Sequence, residues 1–301
     1  MKNKKIATQD FNMSMLPKNR REAFFFLTKM NYRQFVYLGI LLLLCMAPVI
    51  ITFSLKNIHL SILQNTFLNE YNLADEANKE AINNSYINAY ISLSSLYLWI
   101  TFIFIIPVFI ALGGILRVLR QYIWFEPIFL KDDFFKGIKD NWKATLLWGI
   151  VVALTYVLSS YALILPELNQ YIIYLPYAIL VIIILPLCLL VIEQSIVYQE
   201  TNLKYFTNSL LLFFRNFFYV LLFSLLCCLP FSFIYIGEII GGFFYILFII
   251  LFMALIVFVL PLFLLLHLLN SFRIFDIYIN RRNYPQLVGK GLFVKGEHNE
   301  L

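Results

Sequence analysis

The sequence predicts an all-α, polytopic membrane protein, with six transmembrane helices in three hairpins and amphipathic interfacial helices on the cytoplasmic face. Three observations carry this reading. Of the 301 residues, 61% are hydrophobic and 13% are charged, whereas roughly a quarter are charged in soluble domains. The charges are also segregated, leaving apolar runs longer than the roughly 18 residues that mark a spanning helix. Finally, 21 of the 23 Lys and Arg residues fall in segments placed inside, and only Lys56 and Lys79 fall in segments placed outside. That asymmetry is the positive-inside pattern, and it puts both termini in the cytoplasm.

Residues 1–34 form a basic cytoplasmic N-terminus with eight Lys/Arg and two acids. Within it, KNRREAFFFLTKMNYR sets Phe24, Phe25, Leu27 and Met30 among cations, the pattern of an interfacial helix feeding the first span. Residues 35–270 form the six-span domain. The first span, at 35–55, is too long for a signal peptide and is followed by no small-residue cleavage site. LLLLC, ending at Cys45, has Leu44 where a lipoprotein signal needs a small residue. Residues 56–88 read as a long polar external loop, with Leu63, Phe67 and Tyr71 at the spacing of a short helix. The second span covers 89–116, anchored at the interface by Tyr86 and Tyr90.

Residues 117–149 are the longest polar-bearing break between spans, with six cations against four acids. Asp132 or Asp133 is a candidate N-cap. Beyond it Phe134, Phe135, Ile138 and Trp142 fall on one helical face, and Lys136, Lys139, Asp140 and Lys143 on the other. The expected element is a helix in the headgroup layer, with Lys136, Lys139, Lys143 and Trp142 presented to anionic lipid or a partner. It leads into a third span at 144–165. A tight external turn at 166–170, a fourth span at 171–192 and a cytoplasmic link at 193–209 follow. A second bulky aromatic stretch at 210–218 enters the fifth span, which ends near 236. An external turn at 237–242 precedes the sixth span at 243–269. Gly237 and Gly241 match GxxxG, but at a span end they read as a turn. Residues 271–301 are a basic cytoplasmic tail.

The lead-ins repeat. Phe24-Phe25, Lys29, Asn31, Tyr32, Arg33 and Gly39 match Phe134-Phe135, Lys139, Asn141, Trp142, Lys143 and Gly149 at a constant offset of 110, and a fainter copy centres on Asn216. All copies enter from one side, so they are parallel repeats, unlike the inverted repeats of many secondary transporters.

The stretch from 113 to 149 has small residues ending a span, Arg117 and Arg120, Glu126, Asp133-Phe134-Phe135, Lys139, Asn141 and Lys143. Asn208-Ser209-Leu210-Leu211-Leu212 then precedes Arg215-Asn216. In these features the chain resembles the YesL-like family of bacterial integral membrane proteins over roughly residues 15–240. It departs from that family in its longer first external loop and extended C-terminal span and tail. The resemblance implies a plasma-membrane protein of Firmicute-type bacteria without an assigned activity, often found alongside carbohydrate uptake systems.

Ionisable groups within or beside spans are the candidate functional residues. Glu193, Arg215 and His267 are expected toward the cytoplasmic side, near Arg117 and Arg120, whereas Glu238 belongs to an external turn. A Glu193–Arg215 pair, with His267, would line a shallow polar pocket; the alternative is structural pairing or snorkelling. Catalysis is not expected. His59 and His298 fall in opposite aqueous compartments, His267 has no Cys or His at ligand spacing, and Gly113-Gly114 lacks the rest of a phosphate loop. Cys45, Cys188, Cys227 and Cys228 all sit in apolar runs and read as packing residues. No cofactor or metal is expected. The net charge of +6 is explained by membrane orientation rather than nucleic acid. Two functions follow. One is a non-catalytic accessory component of a membrane transport complex such as a carbohydrate importer. The other is a small-molecule transporter using helices kinked at Pro48, Pro107, Pro176, Pro186, Pro230 and Pro261, with Thr101, Thr155, Ser159 and Ser224 as its intramembrane hydroxyls.

Overall fold

The computed structural model describes residues 16–164, 173–240 and 242–293, and every element in them is helical. In chain order these are α1 (Arg20–Leu73), α2 (Glu76–Trp124), α3 (Leu130–Ile164), α4 (Leu175–Val197) and α5 (Asn202–Arg215). Then come α6 (Phe217–Ile240), α7 (Gly242–Phe258) and α8 (Leu260–Phe275), closed by a π turn at Asp276–Asn280. Among the described residues six helices are long and apolar enough to cross a membrane: α1 to α4, the Phe217–Ile234 part of α6, and Leu260–Asn283. The predicted external turn at 166–170 lies outside the described residues, as does His298.

The N-terminal lead-in and first span are one helix. Asn19 caps it by accepting from the Glu22 N–H, while the Glu22 carboxylate reaches back to accept from the Lys18 N–H and the Asn19 side-chain amide. The join is marked by Asn31, whose φ −120° and ψ 17° break the helical geometry. Before it, Ala23 and Leu27 face inward and Phe25 and Met30 outward.

The external loop expected at 56–88 is instead helical. Between Pro48 and Pro107 there is no glycine or proline, so nothing in the chain stops α1 or α2 except the turn at Ala74 and Asp75. The Phe67 and Tyr86 rings stack at 4.3 Å across the pair. At about 1.5 Å per residue, the 54 residues of α1 run far beyond a hydrocarbon core of about 30 Å.

Helix α3 also differs from expectation. It is continuous from Leu130, so Asp133 lies inside its first turn and caps it by accepting from the Phe129 N–H and from Gln121. Its inward stripe is Phe134, Gly137, Asn141, Thr145 and Trp148, while Phe135 and Trp142 point outward beside the lysines. Glycines explain why: a Cβ on Gly114 would lie 2.7 Å from the Phe134 carbonyl oxygen, and one on Gly137 would lie 2.9 Å from the Gly114 Cα. With both side chains absent, α2 and α3 touch backbone to backbone, which fixes the rotation of α3.

The sixth apolar stretch is two helices, broken at Val259 (φ −114°, ψ −42°) ahead of Pro261. Where a turn is expected at 237–242, α6 stays helical through Ile240 and α7 begins at Gly242. Helix α2 packs between α1 and α3, α3 rests on α4, and α6 packs on α7 and α8. Helix α1 closes the assembly against α7 and α8. Phe35, Leu38, Ile115, Leu119, Leu190, Phe213 and Phe275 are buried at its centre.

Candidate functional site

Three helices place polar groups in the apolar interior. The half of α4 that follows its π segment, Leu180–Ile184, is almost wholly buried and carries Glu193. Helix α8 brings His267 beside it, and α6 contributes Ser224. His267 Nδ1 is 2.7 Å from Glu193 Oε1, and His267 Nε2 is 3.0 Å from Ser224 Oγ. All three side chains are at most 1% exposed. With Glu193 ionised, Nδ1–H donates to the carboxylate and Nε2 accepts from the hydroxyl. Beside this chain, Gln194 donates to Ser209 Oγ of α5 at 2.6 Å. Glu193 Oε2 and Gln194 Oε1 are buried without a hydrogen-bond partner among the described residues.

This corrects the expected Glu193–Arg215 pair. Glu193 pairs with His267, whose other ring nitrogen meets Ser224, while Arg215 lies elsewhere with its guanidinium over the Tyr278 ring at 4.7 Å. Arg117 and Arg120 belong to a third group, a cap at one end of the bundle. There Arg117 pairs with Asp140, and Arg120 donates to the Ile196 carbonyl at 2.6 Å and faces Glu126 at 3.6 Å. Lys290 joins the same Glu126 at 2.8 Å and sits over Trp124 at 4.0 Å. Arg20 binds Asp276 at 2.9 Å and the Lys290 carbonyl at 3.0 Å. Asn280 receives the Tyr198 hydroxyl at 2.7 Å and donates to Asp276. The cap therefore stitches the start of α1, the α2–α3 and α4–α5 connections and the C-terminal segment together. At its rim the Glu200 carboxyl is held below its ordinary range by hydrogen bonds from Lys204 and Tyr284.

Lys136, Lys139, Lys143 and Trp142 stand exposed along α3, with Lys143 over the Trp142 ring at 5.9 Å. Among the described residues no group of His, Cys, Asp and Glu is arranged to hold a metal ion. The four cysteines are free, and Cys188 and Cys227 are buried packing groups.

Sequence reasoning found Glu193 and His267 because they interrupt apolar runs. It missed their pairing with each other, and it treated Ser224 as one hydroxyl among several. Sequence spacing gives no sign that residues 193, 224 and 267 converge. Chemically, hydroxyl, imidazole and carboxylate in series match the connectivity of a nucleophile, base and orienting acid. A nucleophile must reach its substrate, however, and Ser224 is fully enclosed. In this conformation the chain ties three helices together.

These features define a class: an all-helical chain with the architecture of a multi-pass integral membrane protein, whose interior holds one buried acid–base chain. Compared with known proteins, the chain matches no family profile, no curated protein and no solved structure. The resemblance to the YesL-like family thus rests on the residues quoted for it alone.

Proposed function

We propose that the chain is a bacterial plasma-membrane protein with both termini cytoplasmic, acting without catalysis of its own as an accessory or regulatory component of a membrane complex such as a carbohydrate importer. In this reading its spans pair as three hairpins, and the start of α3 and all of α5 lie at the cytoplasmic interface. Residues 1–34 and 271–301 are its cytoplasmic arms. The observation that carries the reading is the face of α3. Lys136, Lys139, Lys143 and Trp142 are exposed on a helix whose other side is locked on α2. A rigidly held row of cations with an aromatic group suits anionic headgroups or an acidic partner surface. By contrast, the Glu193–His267–Ser224 chain is sealed and its members bond one another in series, which fits a clamp between α4, α6 and α8.

Charge reversal tests the reading. In K136E/K139E/K143E, crosslinking in native membranes followed by affinity capture is expected to lose the importer subunit recovered with wild type, while membrane insertion is unchanged. Undiminished capture would remove this role from the face.

The buried acid–base chain favours a second reading, a small-molecule transporter coupled to protons, because intramembrane ionisable groups mark ion and proton paths. The π segment of α4 precedes Glu193 and the break at Val259 precedes His267 in the chain, and they would supply its hinges. Under this reading reconstituted vesicles show substrate flux driven by a proton gradient, and Glu193→Gln abolishes it. Gradient-independent flux, or none across a broad panel of sugars and ions, would eliminate it.

A further inference from the structure

A second basic site lies away from both features. Helix α5 and the π turn after α8 line a half-open cavity of about 350 Å³, with Arg215, Arg282 and Asn208 in its wall. No carboxylate lines it. The contrast with the cap matters, since Arg20, Arg117, Arg120 and Lys290 all meet acids, whereas neither Arg215 nor Arg282 forms an ion pair among the described residues. Arg215 is held by stacking on Tyr278. Stacking occupies the face of a guanidinium and leaves its in-plane N–H fork free, the geometry that grips a phosphate bidentately.

The surroundings of the cavity are apolar and outward-facing. Leu211 and Ile277 line it and are exposed, and Phe214, Phe218 and Tyr219 continue the same exposed surface. The other side of α5 is packed inward through Tyr205, Ser209, Leu212 and Phe213. An exposed apolar stripe on an amphipathic helix is at home in the headgroup–acyl boundary. Two unpaired guanidinium groups beside such a stripe are complementary to a molecule with a phosphate at one end and hydrocarbon at the other.

We propose that this cavity binds an anionic phospholipid, with its phosphate held by Arg215 and Arg282 and its acyl chains lying along Leu211 and Ile277. The proposal rests on the membrane placement of the chain and not on the docking role of α3. Asn208 supplies an uncharged hydrogen-bonding group for the headgroup. The site orders one lipid at the junction of α5 with the C-terminal segment, so it ties the tail of the chain to the membrane surface.

The test uses the full chain in detergent micelles, titrated with phosphatidylglycerol or phosphatidylcholine and followed by native mass spectrometry. Wild type is expected to retain phosphatidylglycerol in preference to phosphatidylcholine. Each of Arg215→Ala and Arg282→Ala should weaken retention about tenfold, the scale of one charge-assisted hydrogen-bonded contact. Arg215→Lys should recover only part of the loss, because it keeps the charge without the fork. Arg281→Ala, one residue outside the cavity lining, should leave retention unchanged. Both arginines are exposed, so folding should survive, and the Lys variant provides the comparison if an Ala variant does not. Equal retention by the double variant R215A/R282A would overturn the proposal, as would equal loss in Arg281→Ala. Displacement of phosphatidylglycerol by inorganic phosphate at the same arginines would also overturn it, by reassigning the site to a soluble phosphate compound.

Discussion

Replacing His267 with Leu is expected to cost about 3 kcal/mol of stability, the upper end of the range for leaving a buried hydrogen-bonding group without its partner. The variant strands Glu193, whose Oε2 already has no partner among the described residues, with Oε1 unpartnered as well. Glu193→Gln should be milder, near the roughly 0.6 kcal/mol average for interhelical hydrogen bonds in membrane bundles, since the amide oxygen still accepts from Nδ1–H. The double replacement E193L/H267L should return close to wild type, because swapping a buried pair for apolar groups of similar volume is often neutral or stabilising. Ser224 then turns its hydroxyl to a carbonyl of its own helix, a bond available to serine in any helix. Unfolding followed in mixed micelles checks the series. A double variant as unstable as H267L would mean that the site needs its polar chain for reasons other than charge balance. If the double variant is stable but its vesicles lose proton-driven flux, the pair serves transport; if it is stable and still captures its partner, the pair is a clamp.

The parts of this fold legible in the sequence are those written in composition and run length. Apolar runs gave the spans, and the interruptions at Glu193 and His267 marked the interior acid and base. What stayed hidden depends on how helices meet. The outward position of Trp142 follows from Gly114 and Gly137 setting the rotation of α3, and a periodicity plot weighs a glycine as neutral. The polar composition of residues 56–88 suggested a loop, although the absence of glycine and proline between Pro48 and Pro107 was the better guide. The partners of Arg20, Arg120 and Lys290 lie 256, 6 and 164 residues away in the chain, and composition alone does not assign them. Arg215 was drawn to Glu193 by their expected depth at the cytoplasmic side, whereas the structure places it over Tyr278, in the lining of a cavity shared with Arg282.

Gly39→Ala is expected to destabilise the bundle by about 1–3 kcal/mol, the range for overpacking a closed core, even though alanine favours the helix by about 1 kcal/mol. The clash should win because of what Gly39 touches. A Cβ there would stand 2.1 Å from the Val257 carbonyl oxygen and 2.7 Å from its Cα, both backbone atoms. No rotamer change relieves such a contact, so α1 must move off the broken stretch between α7 and α8. Pro261 explains why that carbonyl is presented, since it has no N–H to return to the residue four places earlier. Gly39 therefore lets α1 pack directly on the backbone at the kink, where a weak Cα–H···O contact is available. Adding Pro261→Ala restores a donor for Val257 and straightens the helix, so the two substitutions should couple in a double-mutant cycle rather than add. Thermal unfolding of the two single variants and the double variant measures the coupling. Simple additivity would show that the α1 contact is independent of the kink, and the break at Val259 would then have to be assigned to the packing of α6 and α8 instead.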